Sequence, residues 1–146
     1  MVTRAAAETL TGPAYPVSTI ASALPTFSFL GALLTDVAYW RTSDIQWANF
    51  SAWFLAIGMV LGGLSLIVEV VHIFSRRRQA STGWWGIGAL VIALGVALAD
   101  NFIHARDGWT SVVPSGLILS VITVALMIAT SAMIANGDRV KVGDLP

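Results

Sequence analysis

Four uninterrupted apolar runs, each about as long as a bilayer is thick, constrain this chain more than any other feature. A membrane-spanning helix needs about 20 mostly apolar residues. Such runs occur at about 19–40, 47–74, 84–103 and 113–135. Polar or turn-rich breaks separate them: Arg41–Asp44, Arg76–Gly83 and Arg106–Gly108. Lipid offers no hydrogen-bond partner to a peptide group, so each run must be helical. The runs are too long and too continuous for barrel strands. The expected fold is an all-α, integral membrane four-helix bundle, with an N-terminal tail over 1–18 and a C-terminal tail over 136–146.

Composition agrees. Charged residues make up 11% of the 146, against about 25% in a soluble domain, too few to cover a water-facing surface. The formal net charge is zero, so no basic excess speaks for nucleic acid. The absence of cysteine excludes disulfides, thiolate metal sites and cysteine nucleophiles. The first sixteen residues hold no apolar core and do not read as a cleavable leader.

Basic residues set the expected orientation. Four spans place both termini and the central break on one side. That side carries Arg4, Arg76, Arg77, Arg78, Arg139 and Lys141, whereas the other carries only Arg41 and Arg106. The asymmetry predicts a multi-pass protein of the inner (cytoplasmic) membrane with both termini in the cytoplasm. Trp40, Trp47 and Trp109 then mark the outer boundary, and Trp84 and Trp85 the inner one, as interface anchors. Gly58-Met-Val-Leu-Gly62 is a small-residue packing motif that serves either the bundle or a dimer. Ser120, Thr123, Thr130 and Ser131 supply small residues on the fourth span. Pro25 should kink or loosen the first helix, and Pro114 suits the opening turn of the fourth.

Ionisable groups inside a membrane are costly and therefore draw attention. Glu69-Val-Val-His72 has the Glu-x-x-His spacing of a metal half-site. Asp100 and His104 are four apart on one helix face. Topology separates the two pairs: from Trp84 to Asp100 an α-helix climbs roughly 24 Å, so they belong to opposite leaflets and no shared metal site or haem is expected. Grouping by leaflet gives two polar clusters instead. The outer one comprises Asp36, Asp100, Asn101, His104 and Arg106, with Arg41 beside it; the inner one comprises Glu69, His72, Arg76 and Tyr15. All lie within about two turns of a span end, where ionisable groups cost less, so ion-pair anchoring of helix register is the expected role. No catalytic triad or nucleotide-binding glycine loop accompanies them, and neither an enzyme nor a cofactor is expected.

Several segments resemble the prokaryotic membrane proteins grouped as "domain of unknown function 2231". They are Tyr15-Pro16, Ala23-Leu-Pro25, Gly31 to Asp36 with Tyr39-Trp40, Asn101 and Arg106, and Val113-Pro114-Ser-Gly116 to Ser120, leading to Asn136 to Gly143. The resemblance spans about Tyr15 to Gly143 and implies a four-helix bacterial membrane protein, but supplies no activity. Two histidines usual in that family are missing, at Tyr15 and in Gly83-Trp-Trp-Gly86. Some relatives are joined to cytochrome-like domains, and these losses weaken a redox reading for this chain. Three functions follow as expectations. The first is an accessory or structural component acting as a homodimer or within a larger membrane complex. The second is a small transporter or ion- or proton-conducting protein using Asp36 and Asp100. The third is a haem- or metal-binding redox protein.

Overall fold

The computed structural model describes residues 17–75, 81–106 and 112–143. Four long helices account for nearly all of them: α1 (Val17–Thr42), α2 (Ile45–Ser75), α3 (Ser81–His104) and α4 (Leu117–Gly143). The chain belongs to the all-α class, and all four helices are long and apolar enough to cross a membrane. The candidate spans, Thr19–Thr42, Ile45–Phe74, Trp84–His104 and Val112–Asn136, lie within a few residues of the sequence-based ones. Among the described residues there is no strand.

Each helix packs on its sequence neighbour, and α4 closes the ring against α1. Short connections between consecutive helices make such neighbours antiparallel. The α1–α2 link is the tightest. Ser43 takes a left-handed conformation (φ 54), and its N–H donates to Tyr39 O at 2.7 Å. Asp44 then caps α2, its Oδ1 accepting from Gln46 N–H at 3.0 Å. A side-chain acceptor of this kind satisfies one of the orphan donors of a helix start. Before α4, Val112–Gly116 form a π-type turn in which Val113 is extended (φ −118, ψ 126). Pro114 lies in this turn rather than inside α4, where its ring and missing N–H would disrupt the ladder. Both links lie at one end of the bundle, here called the hairpin end; the opposite end holds the start of α1, the end of α2, the start of α3 and the end of α4.

The core contains Phe29 and Ala32 of α1, Leu55 of α2, Leu90, Ala93, Leu94 and Ala97 of α3, and Val124 and Met127 of α4. Large apolar side chains also cover the outside: Phe27 is 70% exposed, Val60 66% and Ile92 61%. A surface so rich in apolar side chains suits lipid. Gly58 and Gly62 belong to the interior. A Cβ on Gly58 would lie 2.6 Å from the Phe29 ring, and one on Gly62 would overlap Leu94. The motif thus admits one side chain from α1 and one from α3, so the bundle reading of its spacing holds.

Pro25 leaves α1 continuous. Lacking an N–H, it cannot bond the carbonyl of Ala21, four residues back. The Ser65 hydroxyl of α2 donates to that carbonyl instead. One residue on, Ser22 O accepts from Thr26 Oγ1 at 3.0 Å and from Ser131 Oγ of α4 at 3.1 Å. Neighbouring helices therefore meet the backbone demand that the proline creates, the usual way a membrane helix tolerates it.

The last candidate span ends at Asn136, and α4 continues beyond it as a helix to Gly143. No described glycine has positive φ, so Gly137 does not form the left-handed cap that would end a helix there.

Candidate functional site

The ionisable residues at the hairpin end converge. Asp36 lies a turn and a half before the end of α1, Asp100 one turn before the end of α3, and His104 at that end. Antiparallel packing puts all three level with Ser120, in the first turn of α4. The side chains of Asp36, Asp100 and His104 are fully buried.

The groups form a ring. His104 Nε2 lies 2.8 Å from Asp36 Oδ1. The second carboxylate oxygen, Oδ2, meets the Ser120 hydroxyl at hydrogen-bond distance. The same hydroxyl lies 2.8 Å from Asp100 Oδ2. His104 Nδ1 closes the ring on the Asp100 backbone carbonyl at 3.0 Å. Asp100 Oδ1 also lies 3.2 Å from Nδ1, so this nitrogen faces both the carbonyl and the carboxylate of Asp100. A carbonyl only accepts, so Nδ1 carries hydrogen.

Gly116 shapes the wall behind the imidazole. A Cβ there would stand 2.9 Å from the ring's Cε1. That atom belongs to a ring held at both nitrogens and has no free rotation by which to retreat. Beside the site, Tyr39, Ala48 and Val112 form a small apolar cluster. Beneath it lies the main core. Thr123 Oγ1, one turn deeper on α4, is buried and has no hydrogen-bond partner among the described residues.

The structure thus unites Asp36, Asp100 and His104, three of the five residues grouped at this end from the sequence. Asn101 is half-buried, and no hydrogen bond from its side chain reaches the ring; it follows Asp100 by about 100° around the helix and faces elsewhere. Arg106 is exposed, and no ion pair links it to the carboxylates. Arg41 lies over the Trp40 ring at 5.6 Å. Long cationic side chains keep their heads in water, while His104, carried on the helix itself, supplies the buried donor. Ser120, read from the sequence only as a small packing residue, is the bridge. Its depth was the available signal, since it enters α4 at the level where Asp36 and Asp100 leave α1 and α3.

At the opposite end, Glu69 is buried and His72 half-buried on α2. His72 Nε2 has no hydrogen-bond partner among the described residues. Tyr15 and Arg76, grouped with them from the sequence, lie outside the described residues. The Glu69–His72 pair and the Asp100–His104 pair stand at opposite ends of the bundle, as the span arithmetic required. Among the described residues no group of three or more potential ligands is placed to hold a metal ion.

Comparison with known proteins gives one match. A family model described as "Predicted membrane protein (DUF2231)" matches residues 20–138. No curated protein and no solved structure matches the chain. The match takes in all four apolar helices and every member of the ring, and it covers well over half of the sequence: the chain belongs to the DUF2231 family of predicted membrane proteins.

Proposed function

We propose that this protein is an accessory or structural component of a bacterial inner membrane, working as a homodimer or within a larger membrane complex and without catalytic activity of its own. One observation carries this reading: Asp36, Asp100, His104 and Ser120 take one another as partners across three helices, above an apolar core of Phe29, Ala32, Leu55, Leu90, Leu94 and Met127. A ring satisfied within the bundle fixes the register of α1, α3 and α4. A conductor would instead need polar groups continuing through the midplane. The six-to-two bias of basic residues supports cytoplasmic termini, with the ring in the outer leaflet.

The test has two arms. In liposomes, wild type should pass protons and cations no faster than protein-free vesicles. In gentle detergent, the native protein should run above the mass of a single 15.4 kDa chain. Flux above background that Asp36→Asn abolishes would favour the conductor instead. A strictly monomeric species without a partner would remove the accessory role. A coloured or metal-containing preparation would point to the redox alternative.

A further inference from the structure

Helix α1 is continuous, but its two parts are held in different ways. After Pro25 it is built into the bundle: Phe29 and Ala32 enter the apolar core, Thr35 bonds Ser51 of α2, and Asp36 joins the ring. Before Pro25, Val17, Ile20 and Leu24 are exposed and no residue enters that core. Among the described side chains of this segment, Ser22 alone is buried. A segment with few buried apolar contacts belongs to the least stable part of a fold.

The joint between the two parts lacks a backbone bond, because Pro25 has no N–H for the Ala21 carbonyl. Hydroxyl groups of the neighbouring helices act as clamps instead. Ser65 of α2 donates to Ala21 O, and Ser131 of α4 donates to Ser22 O at 3.1 Å. Ser131 Oγ also lies 3.1 Å from Thr26 Oγ1, so α4 reaches both sides of the proline. Each side-chain bond between membrane helices is worth only a factor of roughly three in an equilibrium. Sharp bends in helices gather at prolines.

The segment before Pro25 covers polar groups. Ser65 faces α1, and Glu69 follows it by one turn on the same face of α2. Both are buried. The antiparallel packing that sets Ser65 beside Ala21 also brings Glu69 level with Val17. We propose that α1 is hinged at Pro25 and that Val17–Leu24 form a gate over Ser65 and Glu69. The gate swings away from α2 and α4 while the ring holds the rest of α1 in place. Opening releases the two hydroxyl clamps, uncovers Ser65 and Glu69, and leaves the hairpin end unchanged. The gate does not depend on the accessory role.

Distances between spin labels in the full-length chain test this. The chain has no cysteine, so paired cysteine substitutions carry labels without background. Asp36 and Asp100 share a level on α1 and α3, which run the same way. Ile20 and Trp84 each lie sixteen residues before these aspartates, and Leu34 and Leu98 each lie two before. All four side chains are exposed. Double electron–electron resonance in lipid reads Ile20→Cys/Trp84→Cys across the gate and Leu34→Cys/Leu98→Cys across the fixed part. Ser65→Ala/Ser131→Ala removes both clamps and should raise the open population about tenfold. The Ile20–Trp84 pair should then gain a longer-distance component, and the Leu34–Leu98 pair should not change. Adding Pro25→Ala restores the N–H and should remove that component. Where the double variant does not fold, Ser131→Ala alone, with a rise of roughly threefold, decides in its place. An Ile20–Trp84 distance that ignores the loss of the clamps overturns the proposal. So does a longer component that persists with Pro25→Ala, or a broadening of both pairs together, which would mean that the bundle loosens as a whole.

Discussion

Replacing Ser120 with Ala isolates the group on which the ring depends. The substitution removes a hydroxyl that reaches both carboxyl groups and leaves an oxygen of each without that partner in a buried site. Side-chain hydrogen bonds between membrane helices average about 0.6 kcal/mol, with a maximum near 1.7. An acceptor stranded in a buried site costs about 1–3 kcal/mol. Ser120→Ala should therefore lose about 2–3 kcal/mol. Ser51→Ala is the internal standard. Ser51 is as buried as Ser120 and bonds Thr35 Oγ1 at 2.7 Å. Its loss strands little, because Thr35 keeps the carbonyls of Gly31 and Ala32 at 3.0 and 2.8 Å; about 0.6 kcal/mol is expected there. Reversible unfolding of the full-length chain in mixed micelles measures both. A Ser120→Ala loss no larger than that of Ser51→Ala would refute the bridging role of Ser120.

Other substitutions probe the helix contacts. Gly116→Ala pushes a methyl group against the His104 ring and should cost about 1–3 kcal/mol, whereas Gly95→Ala, with open space around it, should be neutral or gain up to about 1 kcal/mol from helix propensity; thermal melts in lipid compare them. Adjacent glycines should part in the same way, Gly62→Ala destabilising against Leu94 and Gly63→Ala not. Ser65→Ala should strand the Ala21 carbonyl that Pro25 leaves open. Since Pro25→Ala restores the N–H, the double variant Pro25→Ala/Ser65→Ala should be more stable than Ser65→Ala alone; strictly additive losses in the double-mutant cycle would contradict that exchange of partners.

The sequence made the spans and their ends legible because apolar run length is set by bilayer thickness, which does not depend on the partners of a helix. It also placed Asp36, Asp100 and His104 at one level, since about 1.5 Å per residue fixes depth. Rotation about each helix axis was not legible. Depth alone gave no way to separate Asp100 from Asn101, which share a level but not a face, or to prefer His104 over the longer Arg106. Ser120 escaped notice for a related reason: a hydroxyl in an apolar run reads as a packing residue until the facing helices are known. The same limit hid the exchange between Pro25 and Ser65, which joins residues 40 positions apart. Gly58 and Gly62 were recognisable as a close-approach motif, and only the structure shows that they receive two different helices.

The polar ring rests on His104 meeting Asp36 across 68 positions of sequence. The chain has only two histidines, so a His72→Gln background leaves one imidazole to observe. Solid-state NMR of that protein in lipid, with labelled imidazole nitrogen and aspartate carboxyl carbon, measures the contact directly. A short-range transfer between His104 Nε2 and the Asp36 carboxyl is expected, and it should disappear in Asp36→Ala. A His104 ring with no aspartate contact, or one unchanged by that substitution, would contradict the ring.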